Sequence, residues 1–125
     1  MQRHRDAADA LRRALDTAIE AIRPRALSGD VHRACRAVLE QAGYGANFWQ
    51  EAGYGVGIGF PPNWSESAIY NIGPQSNRPL EAGMTFHLIP TLFFEDFGMC
   101  FSETVLVSDS GCEVLTNYPR ELIVV

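Results

Sequence analysis

Apolar residues recur at helical spacing in the first third of the chain. One stripe consists of Leu11, Leu15, Ala18 and Ile22. A second stripe consists of Val31, Ala34, Cys35, Val38 and Ala42. Pro24 predicts that the first helix ends near Arg23. Ser28 is suited to cap the second helix, and Gly43 is suited to end it. The pattern therefore predicts a pair of helices over about residues 6–43.

Beyond Gly43 the helical spacing gives way to short apolar runs separated by turn residues. Predicted strands cover residues 84–89, 99–107 and 112–115, with a possible fourth at 121–125. A segment with four prolines between Phe60 and Gly83 predicts a long ordered loop. Two helices followed by a run of strands indicate an α+β domain. Its antiparallel sheet and loops would occupy about residues 44–125.

Six glycines lie between Gly43 and Gly59, and most of them alternate with other residues. The run superficially resembles a phosphate-binding loop, but that loop needs a helix after it. Pro61 and Pro62 follow here, and proline does not easily continue a helix or a strand. Alternating glycines in a strand more often mark a close approach to the backbone. Either a ligand or a neighbouring strand could make that approach.

The composition narrows the classes of function. The 125-residue chain has a net charge of -5, and all ten of its basic residues are arginine. It has no lysine for a Schiff base, and nucleic acid or an anionic membrane is an unfavourable partner. No run approaches the roughly 20 apolar residues that span a bilayer, and the N-terminal pattern is not that of a signal peptide. Three widely spaced cysteines fit neither a disulfide framework nor a zinc knuckle, so we expect a reducing, cytoplasmic setting.

Two polar residues inside predicted strands are candidates for chemistry. Alternation in residues 84–89 directs the large apolar side chains to the core, so His87 faces the other side. There it could transfer protons or be an ordinary half-buried histidine. Glu103 lies among apolar neighbours, where a carboxylate is costly unless it is paired. It could be functional, or it could be an edge-strand charge that faces water. We expect His4 and His32 to be surface residues of the helices.

The same residues bear on metal and ligand binding. A two-metal centre needs several carboxylates and usually a histidine around one cavity. His87 and Glu103 are only two strand-borne donors, so we expect this chain alone to hold no catalytic metal tightly. Four aromatic residues near the glycine and proline loops could line a pocket for a small cyclic or cationic ligand, or fill the core. They are Trp49, Tyr54, Trp64 and Tyr70.

Several short motifs follow one another in a distinctive order. They lie in residues 53–58, 61–64, 80–90 and 102–107, and the helical segments 18–24 and 38–44 precede them. This order resembles the pita-bread fold family, which includes methionine aminopeptidase, Xaa-Pro aminopeptidase, proline dipeptidase, creatinase and ectoine hydrolase. The resemblance covers nearly the whole chain. It implies a partial pita-bread fold, in which two N-terminal helices pack on a curved antiparallel sheet and residues 1–125 form the C-terminal part of a catalytic domain.

The chain departs from the family at the metal ligands. Tyr54 stands where the metallopeptidases have a ligand histidine, and Ile89 stands where they have a ligand glutamate. Ser102 replaces a second ligand glutamate, with Glu103 one place later, and Pro61 replaces another histidine. A shift of one residue along a strand points a side chain to the opposite face, barring a bulge. The two ligand aspartates of the family precede the segment that this chain resembles.

These replacements together are similar to ectoine hydrolase and its close relatives, which are regarded as working without metal on a small, non-peptide C–N bond. The resemblance implies a hydrolase of a small molecule such as ectoine, with no cofactor. His87 and Glu103 would handle protons, with the roles of acid and base left open. Tyr54, Trp64 and Ser102 would bind the substrate.

Two alternatives stay open. One is a metal-dependent relative of the Xaa-Pro aminopeptidases or dipeptidases, with a divalent metal such as Mn or Co. The other is a non-catalytic fragment or partner module, because half of the expected catalytic domain is missing from this sequence. For the same reason we expect the isolated chain to have no turnover. A missing N-terminal half or a homodimer would then complete the site.

Overall fold

The computed structural model describes residues 1–60, 63–65 and 69–125, with the backbone alone described for residues 60 and 63–65. The helices are α1 (Gln2–Ala21), α2 (Ser28–Gln41) and a short 3-10 helix (Gly45–Asn47). The strands are β1 (Gly53–Phe60), β2 (Asn63–Ser65), β3 (Asn71–Ile72), β4 (Thr85–Leu88), β5 (Thr91–Phe93), β6 (Gly98–Cys100), β7 (Glu103–Val107) and β8 (Cys112–Val114). Two helices followed by strands confirm the predicted α+β class.

The described strand pairs are all antiparallel, as predicted. The larger sheet has the order β2-β1-β4-β7-β8, with β3 also paired to β1, and the smaller sheet consists of β5 and β6. The central strand β4 therefore lies between β1 and β7. It is the strand that carries His87, so side chains of β1 and β7 are its cross-strand neighbours.

A single apolar core joins the two helices to one face of the larger sheet. The helices contribute Leu11, Leu15, Val31 and Leu39, among others, and the sheet contributes Phe86, Leu88, Val105 and Val107. In β4 Phe86 and Leu88 are buried while Thr85 and His87 are half-buried. This alternation confirms that His87 faces away from the core.

The strand predicted over residues 99–107 is in fact two strands, and they pair with different strands in different sheets. Residues 98–100 pair with β5 in the smaller sheet, whereas residues 103–107 pair with β4 and β8 in the larger one. Phe101 and Ser102 connect the two sheets and belong to neither strand. The possible strand at residues 121–125 is also absent from the described chain, where these residues are irregular and mostly exposed. The segment predicted as a long loop contains the short strands β2 and β3.

The connection between the helices is held by the loop before β4. Ser28 begins α2, but its hydroxyl does not cap the helix; it accepts a hydrogen bond from the Arg78 backbone N–H at 3.3 Å. Leu27 forms an isolated bridge with Pro79, and Arg25 has a positive φ of 71°. The predicted cap is therefore wrong, because a long-range partner competes for the hydroxyl.

The cysteines and the helices also bear on two of the sequence predictions, a lack of disulfides and a lack of membrane spans. The three cysteines are free; Cys35 is buried and Cys100 is exposed. Among the described helices there is none whose length and apolar character would let it cross a bilayer.

Candidate active site

The structure brings together two of the candidate residues, Tyr54 of β1 and His87 of β4. These residues are directly opposite each other in the β1–β4 ladder. The Tyr54 hydroxyl lies 2.7 Å from Nδ1 of His87, and the two rings meet edge to face with centroids 5.2 Å apart. Both side chains are half-buried on the face of the sheet that turns away from the helices.

The glycine beside Tyr54 makes this pairing possible. A Cβ on Gly53 would lie 2.4 Å from the His87 carbonyl oxygen and 3.0 Å from Leu88 Cα. Only glycine leaves room for the backbone of β4 at this distance. Of the two explanations that the sequence left open for the glycine run, a neighbouring strand is the one found at Gly53.

Burial favours the neutral form of the imidazole. Desolvation by the surrounding protein lowers the pKa of His87 below its usual range, so the neutral form is favoured at neutral pH. A neutral imidazole has one donor nitrogen and one acceptor nitrogen. Because the Tyr54 hydroxyl bonds to Nδ1, Nε2 is the nitrogen that can exchange a proton with a substrate.

The structure does not bring Glu103 to this pair. Glu103 lies opposite Leu88 in the β4–β7 ladder and shares the buried face of Val105 and Val107. Its side chain is 2% exposed, and Oε1 lies 3.1 Å from Nε of Arg120. The predicted proton-transfer pair of His87 and Glu103 is thus split between opposite faces of the sheet. The alternation of Glu103, Val105 and Val107 was the sequence signal that could have shown this.

The remaining predicted site residues are placed less directly. Ser102 is exposed in the link between the two sheets. The Trp64 side chain lies outside the described residues. Thr104, which was not singled out from the sequence, is the residue directly opposite His87 on β7. Register alone identifies such a neighbour, and the sequence has no local signal for it.

His32 was predicted at the surface and is in fact buried, with 2% exposure. Its ring stacks on Phe48, and its Nδ1 accepts a hydrogen bond from the Ala52 N–H at 3.2 Å. Desolvation lowers the pKa of His32; a hydrogen bond with the Ile72 backbone opposes this change, and the nearby Arg36 and Arg33 add to it. This neutral histidine therefore ties α2 to the residue immediately before β1.

The donor set at the positions that resemble the family's metal ligands does not fit a two-metal centre. Tyr54 offers a hydroxyl that already bonds to His87, Ile89 offers no donor, and Ser102 offers a weak one. In residues 1–60, 63–65 and 69–125 no group of three or more histidine, cysteine, aspartate or glutamate side chains could hold a metal ion. Two-metal hydrolytic centres depend on converging carboxylates, and the residues at these positions do not provide them.

The chain shares its fold with solved dipeptidases. The chain superimposes on a dipeptidase, PepE from Mycobacterium ulcerans, with a TM-score of 0.90 and 30% identity over 98% of its length. It superimposes on a dipeptidase from Pyrococcus horikoshii OT3 with a TM-score of 0.91 and 28% identity over its whole length. The chain thus has part of the pita-bread fold, as predicted.

The family follows from the sequence comparison. The model of metallopeptidase family M24 matches residues 1–109, and the chain belongs to this family. It is 35% identical to the ectoine hydrolase of Halomonas elongata over 118 residues, which is 94% of this chain and 29% of that protein. The chain likewise covers 32% of PepE and 34% of the Pyrococcus dipeptidase. It therefore spans about a third of the length of the relatives that it matches.

Proposed function

We propose that this chain supplies one wall of the active site of a hydrolase that opens a C–N bond in a small, non-peptide molecule such as ectoine, without a metal ion. The observation that carries the proposal is the 2.7 Å hydrogen bond between Tyr54 and His87. It supports a proton-transfer role for these two residues, at a position where the peptidases of the family are expected to have a metal ligand. The similarity to ectoine hydrolase supports the choice of substrate class.

Hydrolysis of a C–N bond adds hydroxide to carbon and a proton to nitrogen. A neutral His87 can take the proton from the attacking water through Nε2 and return it to the departing nitrogen. Tyr54, bonded to Nδ1, would hold the orientation of the ring during both transfers, because its hydroxyl can accept from a protonated Nδ1 or donate to a bare one. One residue can therefore act as base and then as acid, which removes the need for Glu103 in the proton transfer.

Trp64 and Ser102 remain proposed substrate-binding residues. Ser102 precedes β7 and Thr104 by one and two positions, so it belongs to the segment that borders His87. The rest of the pocket would come from the part of the protein that this chain does not include, or from a second copy in a homodimer. We expect the isolated chain to have no turnover for this reason. A cytoplasmic location likewise stays a prediction.

A chimera would test the proposal in a complete catalytic domain. This chain would replace the matching segment of the Halomonas elongata ectoine hydrolase, and ectoine hydrolysis would be followed by NMR with and without EDTA. We expect turnover that EDTA does not change. His87→Ala should lower kcat by roughly 10²–10⁴-fold, the usual contribution of a general acid–base group. Tyr54→Phe should lower it as well, while Tyr118→Phe, an exposed tyrosine with 67% exposure, is the matched control.

The outcomes separate the three candidate functions. Turnover that EDTA abolishes and Mn²⁺ or Co²⁺ restores, together with cleavage of an Xaa-Pro dipeptide, would establish the metal-dependent alternative. A folded chimera with neither activity would favour a non-catalytic module. Full activity of the His87→Ala chimera would refute the role that we assign to the Tyr54–His87 pair.

A further inference from the structure

The segment after β8 continues alongside β7 and contacts it at three points. We call residues 115–120 the C-terminal strap. The Leu115 N–H donates to the Thr104 carbonyl at 2.8 Å, and the Thr104 N–H donates to the Thr116 hydroxyl at 3.2 Å. The third contact is made by Arg120 at the end of the strap. Both backbone hydrogen-bonding groups of Thr104 are therefore bonded to the strap.

Arg120 bridges two acidic residues from different elements. Its Nε lies 3.1 Å from Oε1 of Glu103 on β7, and its Nη1 donates to Asp16 on α1. The Glu103 side chain is 2% exposed, and Arg120 is the cation paired with it in the described part of the chain. Within the same part of the chain, Oε2 of Glu103 has no hydrogen-bond partner. A buried carboxylate in this state depends strongly on its one ionic contact.

These contacts act on the residues beside the candidate site. Thr104 is directly opposite His87, and Glu103 is opposite the adjacent Leu88. We propose that the C-terminal strap fixes the position of β7 against β4, and that Arg120 is a positioning residue for His87 that acts through Glu103. The inference rests on the proposed function only in treating the Tyr54–His87 pair as the reactive one.

The test uses the isolated 125-residue chain and needs no substrate. Amide hydrogen exchange would be measured at Leu115 and Thr104, and the ring nitrogen chemical shifts of His87 would be measured by NMR. We expect Arg120→Met to accelerate exchange at both amides by at least tenfold and to shift the His87 ring signals. Arg120→Lys, which keeps the charge, should show smaller changes in both the exchange rates and the ring signals than Arg120→Met. A loss of overall stability alone would not shift the ring signals of the folded state.

The matched control is Arg12→Met, since Arg12 forms an exposed pair with Asp9 on α1. It should change neither readout. If Arg120→Met does not fold, the double variant Glu103→Gln with Arg120→Met removes the buried charge as well and should still show both changes. Unchanged exchange and unchanged His87 signals in a folded variant of either kind would overturn the proposal. Because no turnover is measured, this result is independent of whether the hydrolase proposal holds.

Discussion

Gly53→Ala tests whether close approach of two strands builds the candidate site. The added Cβ would lie 2.4 Å from the His87 carbonyl oxygen, 3.0 Å from Leu88 Cα and 3.1 Å from Leu88 Cδ2. The first two of these atoms belong to backbone, so rotation of a side chain does not relieve the overlap. Strands β1 and β4 must move apart, and we expect the hydrogen bond between Tyr54 and His87 to lengthen from 2.7 Å.

Overpacking of this kind costs about 1–3 kcal/mol. The smaller conformational freedom of alanine in the unfolded chain offsets roughly 0.4–1 kcal/mol of that cost. We therefore expect a net loss of about 1–2 kcal/mol. The melting temperature should fall by roughly 4–8 °C, at about 4 °C per kcal/mol for a domain of this size.

The matched control is Gly111→Ala, because no atom lies within 4 Å of a Cβ at that position and φ is not in the left-handed region. Its stability should stay within about 0.5 kcal/mol of the parent chain or rise slightly. Urea denaturation followed by circular dichroism measures both variants under identical conditions. Equal midpoints for the two alanine variants would refute the argument that β4 requires a glycine at position 53.

Two further predictions concern stability. Burial lowers the pKa of both His32 and His87 from the ordinary value of 6.5, so the unfolded chain binds more protons as the pH falls below that value. The stability that both groups contribute is complete above about pH 6.5 and is lost as the pH falls towards their folded-state pKa values; a urea midpoint at pH 5.5 that equals the midpoint at pH 7.5 would contradict this. Arg25 adopts a φ of 71°, which is costly for a residue with a side chain, so Arg25→Gly should stabilise the chain by up to about 1 kcal/mol in the same assay.

The family of this chain and the side chains at its candidate site suggest different chemistry. The chain belongs to a family described as metallopeptidases, yet its motifs imply that Tyr54, Ile89 and Ser102 stand where that family has metal ligands. The fold is retained, and by this resemblance the donor atoms are not. Function depends on the groups in a site more than on the fold that carries them, and this is why the proposed chemistry rests on Tyr54 and His87.

The sequence by itself determined the two helices and the buried face of β4. The apolar stripes predicted both helices, and strict alternation in β4 predicted that Phe86 and Leu88 are buried and that His87 faces the other side. These predictions succeeded because the period of apolar residues reflects which face of an element meets the core. The order of short motifs further indicated the pita-bread family, and the comparisons confirmed it.

Only the tertiary structure decided which side chains meet. Tyr54 and His87 are 33 residues apart, and the β1–β4 register brings them together. A long-range contact of the same kind buries His32 against the residue that precedes β1. Periodicity shows the face on which a side chain lies, but the partner on that face depends on strand register and on packing between distant segments, which local sequence does not contain.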